Sequence, residues 1–162
     1  MDSLGKAKAL AVGVPAALLA AAYGSEHIGG LWPCEMCWWQ RYAHFAGLGL
    51  ALLSLLLSRL PDRGRSFVWL AALGILTSGG IGAYHAGVEA DIFEGFTQCT
   101  STAAGGSVDD LLKSIMDAPL VRCDEVQWSF LGISMAGWNA ILSILAALSI
   151  LWLSLRKPRA PR

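Results

Sequence analysis

Four cysteines, Cys34, Cys37, Cys99 and Cys123, carry the most reactive chemistry in this 162-residue chain. The first two stand in the stretch LWPCEMCWWQRYAHF, Leu31 to Phe45, as a Cys-x-x-Cys pair followed by aromatics, an arginine and a histidine. Pro33 precedes the pair and an apolar run follows it, so the pair falls in the first turn of a helix. The exposed N–H groups and the dipole at a helix N-terminus favour a thiolate. A thiolate so favoured attacks readily and also leaves readily in disulfide exchange. A staple closing so short a loop removes little entropy from the unfolded chain. The spacing therefore points to a disulfide that opens and closes rather than one that only holds a loop.

Other chemistries compete for the same residues. A structural zinc site wants four ligands, commonly as two close pairs, and Cys99 and Cys123 are far apart in sequence. Covalent haem needs Cys-x-x-Cys-His, and the residue after Cys37 is Trp38. A non-covalent haem between His44 and His85 and a purely structural disulfide pair remain alternative readings. Cys34, Cys37, Arg41 and His44 fall at i, i+3, i+7 and i+10, so two thiols, a fixed cation and an imidazole share one helix face. An ionisable residue in a membrane segment is a functional candidate by default; the alternative for Arg41 is an anchor that snorkels to the interface. Asp124 and Glu125 follow Cys123 and would raise its pKa. Two cysteine pairs of different character suggest a relay, one pair meeting a soluble partner and the other sitting at the membrane.

The elements that must position these groups are membrane helices. The composition is 55% hydrophobic and 15% charged, against about 25% charged in soluble domains. Ala9–Ser25, Tyr42–Ser58, Ser66–Val88 and Val126–Leu155 are apolar and free of Asp, Glu, Lys and Arg. A membrane helix needs roughly 20 such residues. The reading is an all-α membrane protein, an antiparallel bundle of four transmembrane helices at about 8–25, 37–58, 66–87 and 134–155, as one domain. Loops at about 26–36 and 88–133 join them on one side. The first run, although it resembles a leader, is read as a span. Nine of the twelve Lys and Arg residues fall on the other side: Lys6, Lys8, Arg59, Arg63, Arg65, Arg156, Lys157, Arg159 and Arg162. The positive-inside rule then makes both termini cytoplasmic and places all four cysteines outside, where disulfides persist. No basic block resembles a nucleic-acid surface.

Small residues recur at helix spacing in Ala43, Gly47 and Ala51 and in Gly79, Ala83 and Gly87, as closely packed membrane helices require. In the long loop, SVDDLLKSIMDAP carries a capping-box-like start at Ser107 and Asp110. Val108, Leu111, Leu112, Ile115 and Met116 then share one face. This predicts a short amphipathic helix that lies on the membrane surface or packs on the bundle's outer end.

CEMCWWQR and CDEVQWSFLGISMAGWN, taken with four spans and two cysteine-bearing outer loops, resemble the DsbB family of bacterial inner-membrane thiol:quinone oxidoreductases. The resemblance covers essentially the whole chain. It implies that the protein reoxidises a periplasmic DsbA-like partner, a thioredoxin-fold dithiol oxidase, and passes the electrons to ubiquinone or menaquinone. It also implies roles. Cys99 forms the mixed disulfide with the partner and Cys123 passes the exchange to Cys34. Cys37 faces the quinone and forms a thiolate–quinone charge-transfer adduct. Arg41, His85 and Met135 lie at the quinone. Glu35 adds a negative charge beside Cys34 where the family commonly has an aliphatic residue. A vitamin-K-epoxide-reductase-like enzyme is the nearest alternative, although there the Cys-x-x-Cys is expected after the loop pair, near the last span.

Overall fold

The computed structural model describes residues 2–95 and 121–156. Cys99 and the amphipathic helix expected over Ser107–Pro119 lie outside the described residues. The described chain is helical: α1 (Ser3–His27), α2 (Glu35–Leu56), α3 (Arg65–Glu89) and α4 (Met135–Leu155), with a two-stranded hairpin, β1 (Ser129–Phe130) and β2 (Ile133–Ser134), just before α4. α1, α3 and α4 are each long and apolar enough to cross a membrane. α2 is 22 residues long. It carries Glu35, Gln40, Arg41 and His44 in its first half and an apolar run in its second.

Each helix start has a local cause. Asp2 caps α1 by accepting the Gly5 N–H at 2.8 Å. Ser134 caps α4 through the Gly137 N–H at 3.1 Å. α3 begins after Gly64, whose φ of +75° suits glycine. A β-carbon there would meet the Ser54 carbonyl oxygen at 2.5 Å. The Asp62 carboxylate accepts from the N–H groups of Gly64 and Ser66, both at 3.0 Å, and from the Ser66 hydroxyl. α2 is capped by a sulfur: Cys34 is its N-cap, and Sγ accepts the Cys37 N–H at 3.3 Å.

The bundle interior is rich in small residues, packed around Val68, Ile75 and Ile150. Ala7, Ala11, Ala51, Ala71, Ala72, Ser54, Ser78, Ser143 and Ser154 are buried, whereas Leu53, Leu56, Leu73, Leu145, Leu148 and Trp152 face outward. That arrangement suits a helical membrane protein, because lipid solvates leucine and close backbone approach supplies the packing. α3 packs most extensively on α2 and α4, and α1 closes against the same two helices. Gly47, Ala51 and Gly79 of the expected small-residue positions are buried at or beside those contacts, whereas Ala83 is exposed and Gly87 faces Phe93. A β-carbon on Gly47 would meet the Ala71 carbonyl at 3.2 Å, and one on Gly79 would meet Ser143 and Ile144.

One end of the bundle gathers the basic residues. Lys8 Nζ donates to the Ser54 carbonyl at 2.7 Å and to Ser58 Oγ at 3.0 Å, so a cation offsets the exposed carbonyls at the α2 C-terminus. Arg63 pairs with Asp2 at 2.9 Å, and Ser3 Oγ contacts the Arg156 carbonyl at 3.4 Å. Cys34, Cys37 and Cys123 lie at the opposite end. Residues 126–134 belong to the loop, as the excess length of the last apolar run predicts, but they contain a hairpin that the helical reading lacks. Leu131 and Gly132, with φ of +53° and +76°, make its turn, and Trp138 Nε1–H donates to the Phe130 carbonyl at 3.1 Å.

Candidate functional site

Three of the four cysteines meet. Cys34, Cys37 and Cys123 pack in one cluster with Met36, Val88, Tyr84 and Val121, and Cys123 is fully buried. Cys34 Sγ lies 2.9 Å from Cys37 Sγ, so the pair faces each other without a bond between them. The Cys123 side chain hydrogen-bonds Cys34 as well. Cys34 is therefore the middle sulfur. Proximity of this kind is what thiol–disulfide exchange needs, because a third sulfur must reach one sulfur of an existing pair.

The protonation of Cys34 differs from the sequence-based expectation. A helix N-terminus lowers a thiol pKa, and the Cys37 N–H acts in that direction. The hydrogen bonds to Cys123 and Cys37, together with burial, outweigh it and push the Cys34 thiol well above its ordinary value. Asp124 and Glu125, expected to act on Cys123, both pair instead with Arg122, the first by a bidentate contact and the second at 3.7 Å. Glu35 is exposed.

His85 reaches this cluster from α3. Its Nε2 lies 3.1 Å from the Cys123 carbonyl, 3.6 Å from Cys34 Sγ and 3.9 Å from Glu89 Oε1. The ligand atoms of Cys34, Cys37 and His85 lie within 4.8 Å of one another, a spacing that a thiophilic cation could also use. Behind His85 runs a chain of amides. Gln40 Nε2 stands 3.0 Å from His85 Nδ1, and Asn139 Nδ2 donates to Gln40 Oε1 at 2.7 Å. Asn139 Oδ1 faces His44 Nε2 at 2.9 Å. Gly82 makes this crossing possible, since a β-carbon there would meet the Ala136 carbonyl at 2.9 Å and Asn139 Nδ2 at 3.0 Å.

Arg41 lies 7% exposed in an ion pair with Glu26 from α1. It also donates to the Ala22 carbonyl at 3.0 Å. Its guanidinium sits 4.7 Å from the Tyr23 ring centroid and 4.9 Å from that of Trp38. Beside it opens a cleft of about 850 Å³, bordered by Cys37, Arg41, His44, His85, Met135 and Trp138 among others. Met135 begins α4 and contacts Ser25 Oγ through sulfur at 3.9 Å. Arg41, His85 and Met135 thus border one cleft, and His85 is committed to the thiols. Glu26, Gln40 and Asn139 are absent from the sequence-based site. The available signal is the same for all three: a polar group at the edge of, or inside, an apolar run.

Comparison with known proteins bears on this geometry. The family model described as disulfide bond formation protein DsbB matches residues 6–153. The chain is 32% identical over 152 residues to a disulfide bond formation protein B of Marinobacter nauticus, covering 89% of this chain and 88% of that one. It is 31% identical over 157 residues to a protein of the same description from Paracidovorax citrulli, covering 90% and 84%. For the one from Verminephrobacter eiseniae the figures are 34% over 157 residues, 90% and 83%. No solved structure matches the chain.

Proposed function

Because the chain belongs to the DsbB family of disulfide bond formation proteins, we propose that its disulfide-generating role is that of a thiol:quinone oxidoreductase of the bacterial inner membrane. It reoxidises a periplasmic DsbA-like dithiol partner. The observation that carries this reading is the meeting of Cys34, Cys37 and Cys123 beside an apolar cleft. Loop and membrane cysteines have no reason to share one buried site unless they exchange. The cleft fits a lipophilic head group: its volume lies in the range of small-molecule sites, and Arg41, Arg122 and several polar groups punctuate apolar walls. His44, whose Nε2 faces Asn139 Oδ1, borders the cleft as well.

A quinone, when bound, supplies a two-electron acceptor. The chain's own residues do the rest. The partner's thiolate attacks Cys99 of a Cys99–Cys123 disulfide, so that the mixed disulfide forms at Cys99 and Cys123 leaves as a thiolate. Cys123 attacks Cys34 of a Cys34–Cys37 disulfide, so that the Cys34–Cys123 bond forms and Cys37 leaves as a thiolate. Arg41 lies one helical turn beyond Cys37 and holds positive charge beside the cleft. Met135 and Trp138 wall the cleft and exclude water. With the basic end of the bundle cytoplasmic, α2 completes a set of four spans and the thiols face the periplasm. Anaerobic mixing of the purified protein with a reduced DsbA-like dithiol and quinone tests the reading. Loss of the quinone absorbance supports it, and its persistence with a competent partner present refutes it.

A further inference from the structure

The polarity of the amide chain behind His85 is fixed by two backbone carbonyls. Gln40 Nε2 faces the Met36 carbonyl at 3.1 Å, and only an N–H can face a carbonyl oxygen. The same nitrogen's second hydrogen points at His85 Nδ1. Likewise Asn139 Nδ2 faces the Ser78 carbonyl at 3.2 Å and Gln40 Oε1 at 2.7 Å. Its Oδ1 therefore faces His44 Nε2 and the Ser143 hydroxyl. Both amides are thus oriented by groups that cannot reverse. His85 Nδ1 must accept, so its single proton sits on Nε2. Among the described residues, the neighbours of that nitrogen can each accept from it: the Cys123 carbonyl, Cys34 Sγ and the Glu89 carboxylate.

We infer that Gln40 and Asn139 are positioning residues. Through their fixed amides they hold His85 as the Nε2–H tautomer, with its N–H directed at the Cys123 carbonyl and the Cys34 sulfur. The inference deepens the reading of Cys34 as an exchanging thiol and rests on it. The hydrogen bond to the carbonyl keeps Cys123 against Cys34. The contact with sulfur supports negative charge on Cys34 when a thiolate attacks Cys123, a new disulfide forms at Cys123, and the Cys34–Cys123 bond breaks with its electron pair on Cys34. The same tautomer gives Nε2 no lone pair to offer a cation, so the close donor set of Cys34, Cys37 and His85 serves exchange rather than metal binding.

Histidine tautomers are read directly from the two ring-nitrogen shifts of ¹⁵N-histidine-labelled, full-length protein in micelles. The three histidines are assigned with His27→Gln, His44→Phe and His85→Phe. His85 and His44 should both show Nε2–H. Asn139→Leu removes the donor to Gln40 Oε1 and leaves Gln40 held by the Met36 carbonyl alone, so the single-tautomer signature of His85 should weaken. Gln40→Glu, which preserves shape, replaces the donating amide by an acceptor and should move the His85 proton to Nδ1. A merely structural role for either amide would leave the ring shifts unchanged. In a Cys37→Ser/Cys99→Ser/Cys123→Ser background, reaction of Cys34 with a small methanethiosulfonate should slow about tenfold on adding His85→Phe or Asn139→Leu. An Nδ1–H signal from His85 in the unsubstituted protein, or an Nε2–H signal that survives both amide variants, overturns the assignment. An unchanged Cys34 rate with His85→Phe overturns its link to the thiol. Failure of the unsubstituted protein to reduce quinone would refute the wider function while leaving the ring shifts as expected.

Discussion

Arg41 has a partner that complicates every simple test of it. Its guanidinium is nearly buried against the Glu26 carboxylate, with side-chain exposures of 7% and 11%. It also holds the Ala22 carbonyl and lies over two aromatic rings. Removing one partner of a buried pair costs about 3–5 kcal/mol, since the other charge is stranded. Glu26→Gln keeps an acceptor oxygen, and two ring faces at about 0.5–1 kcal/mol each still receive the cation, so the loss should be about 2 kcal/mol. Arg41→Ala strands Glu26 and forfeits the ring contacts as well, and should cost the full 3–5 kcal/mol. The double variant strands nothing and should be more stable than Arg41→Ala alone. Acceptor kinetics should order differently. Glu26→Gln leaves the guanidinium free of its competitor, so the quinone KM should fall. Arg41→Ala should lose about 2–4 kcal/mol of transition-state stabilisation, the scale of one lost oxyanion donor, and the double variant should not recover it. Denaturant titration in mixed micelles measures the first ordering, and initial rates with quinone and dithiol varied separately measure the second. If the double variant regains both stability and wild-type quinone KM, Arg41 serves the fold alone and the reasoning fails.

Cys37→Ser should abolish quinone reduction without unfolding the bundle, as circular dichroism would report; turnover at the wild-type rate would place the electron exit elsewhere. Gly82→Val should disrupt the α3–α4 crossing, because even a β-carbon there lies 2.9 Å from a backbone oxygen. The His44 and His85 ring shifts should move in a variant that remains helical. Asp62, held down to about 2 by the Ser66 hydroxyl and the N–H groups of Ser66 and Gly64, has a folded pKa below its ordinary value of 3.8. Its stabilisation of the turn is present above that ordinary value and is lost as pH falls toward 2. Amide exchange at Gly64 and Ser66 should accelerate over that window, and Asp62→Asn should remove the pH dependence.

The parts legible in the sequence are those set by local rules. The Cys-x-x-Cys at a helix start follows from Pro33 and the apolar run, and Lys8, Arg63 and Arg156 do come together at one end. Small-residue spacing marks the helix contacts at Gly47 and Gly79. What was not legible depends on how helices rotate against one another. Glu26 finds Arg41 only because α1 turns that face toward α2, and no spacing along one chain encodes that angle. The direction of the Gln40–Asn139 chain needs three helices and two specific carbonyls. The Cys34 thiol departs from the helix-terminus expectation for the same reason: a sulfur from a distant loop outweighs the local N–H. The hairpin at 129–134 was hidden by Leu131, an unfavourable residue for a turn of positive φ.

Cys34 touches both Cys37 and Cys123, and a sulfur holds one disulfide at a time. The site is therefore a two-position selector rather than a wire. While Cys34 is bonded inward to Cys37, the outer loop has no covalent route to the cleft; while it is bonded outward to Cys123, Cys37 is cut off from the loop. Traffic is thereby quantised, one electron pair per throw. In the proposed function, a reduced acceptor in the cleft and an oxidised partner outside are then never joined through an unbroken chain of bonds. Insulation against back-flow follows from valence alone, with no lid or gate required.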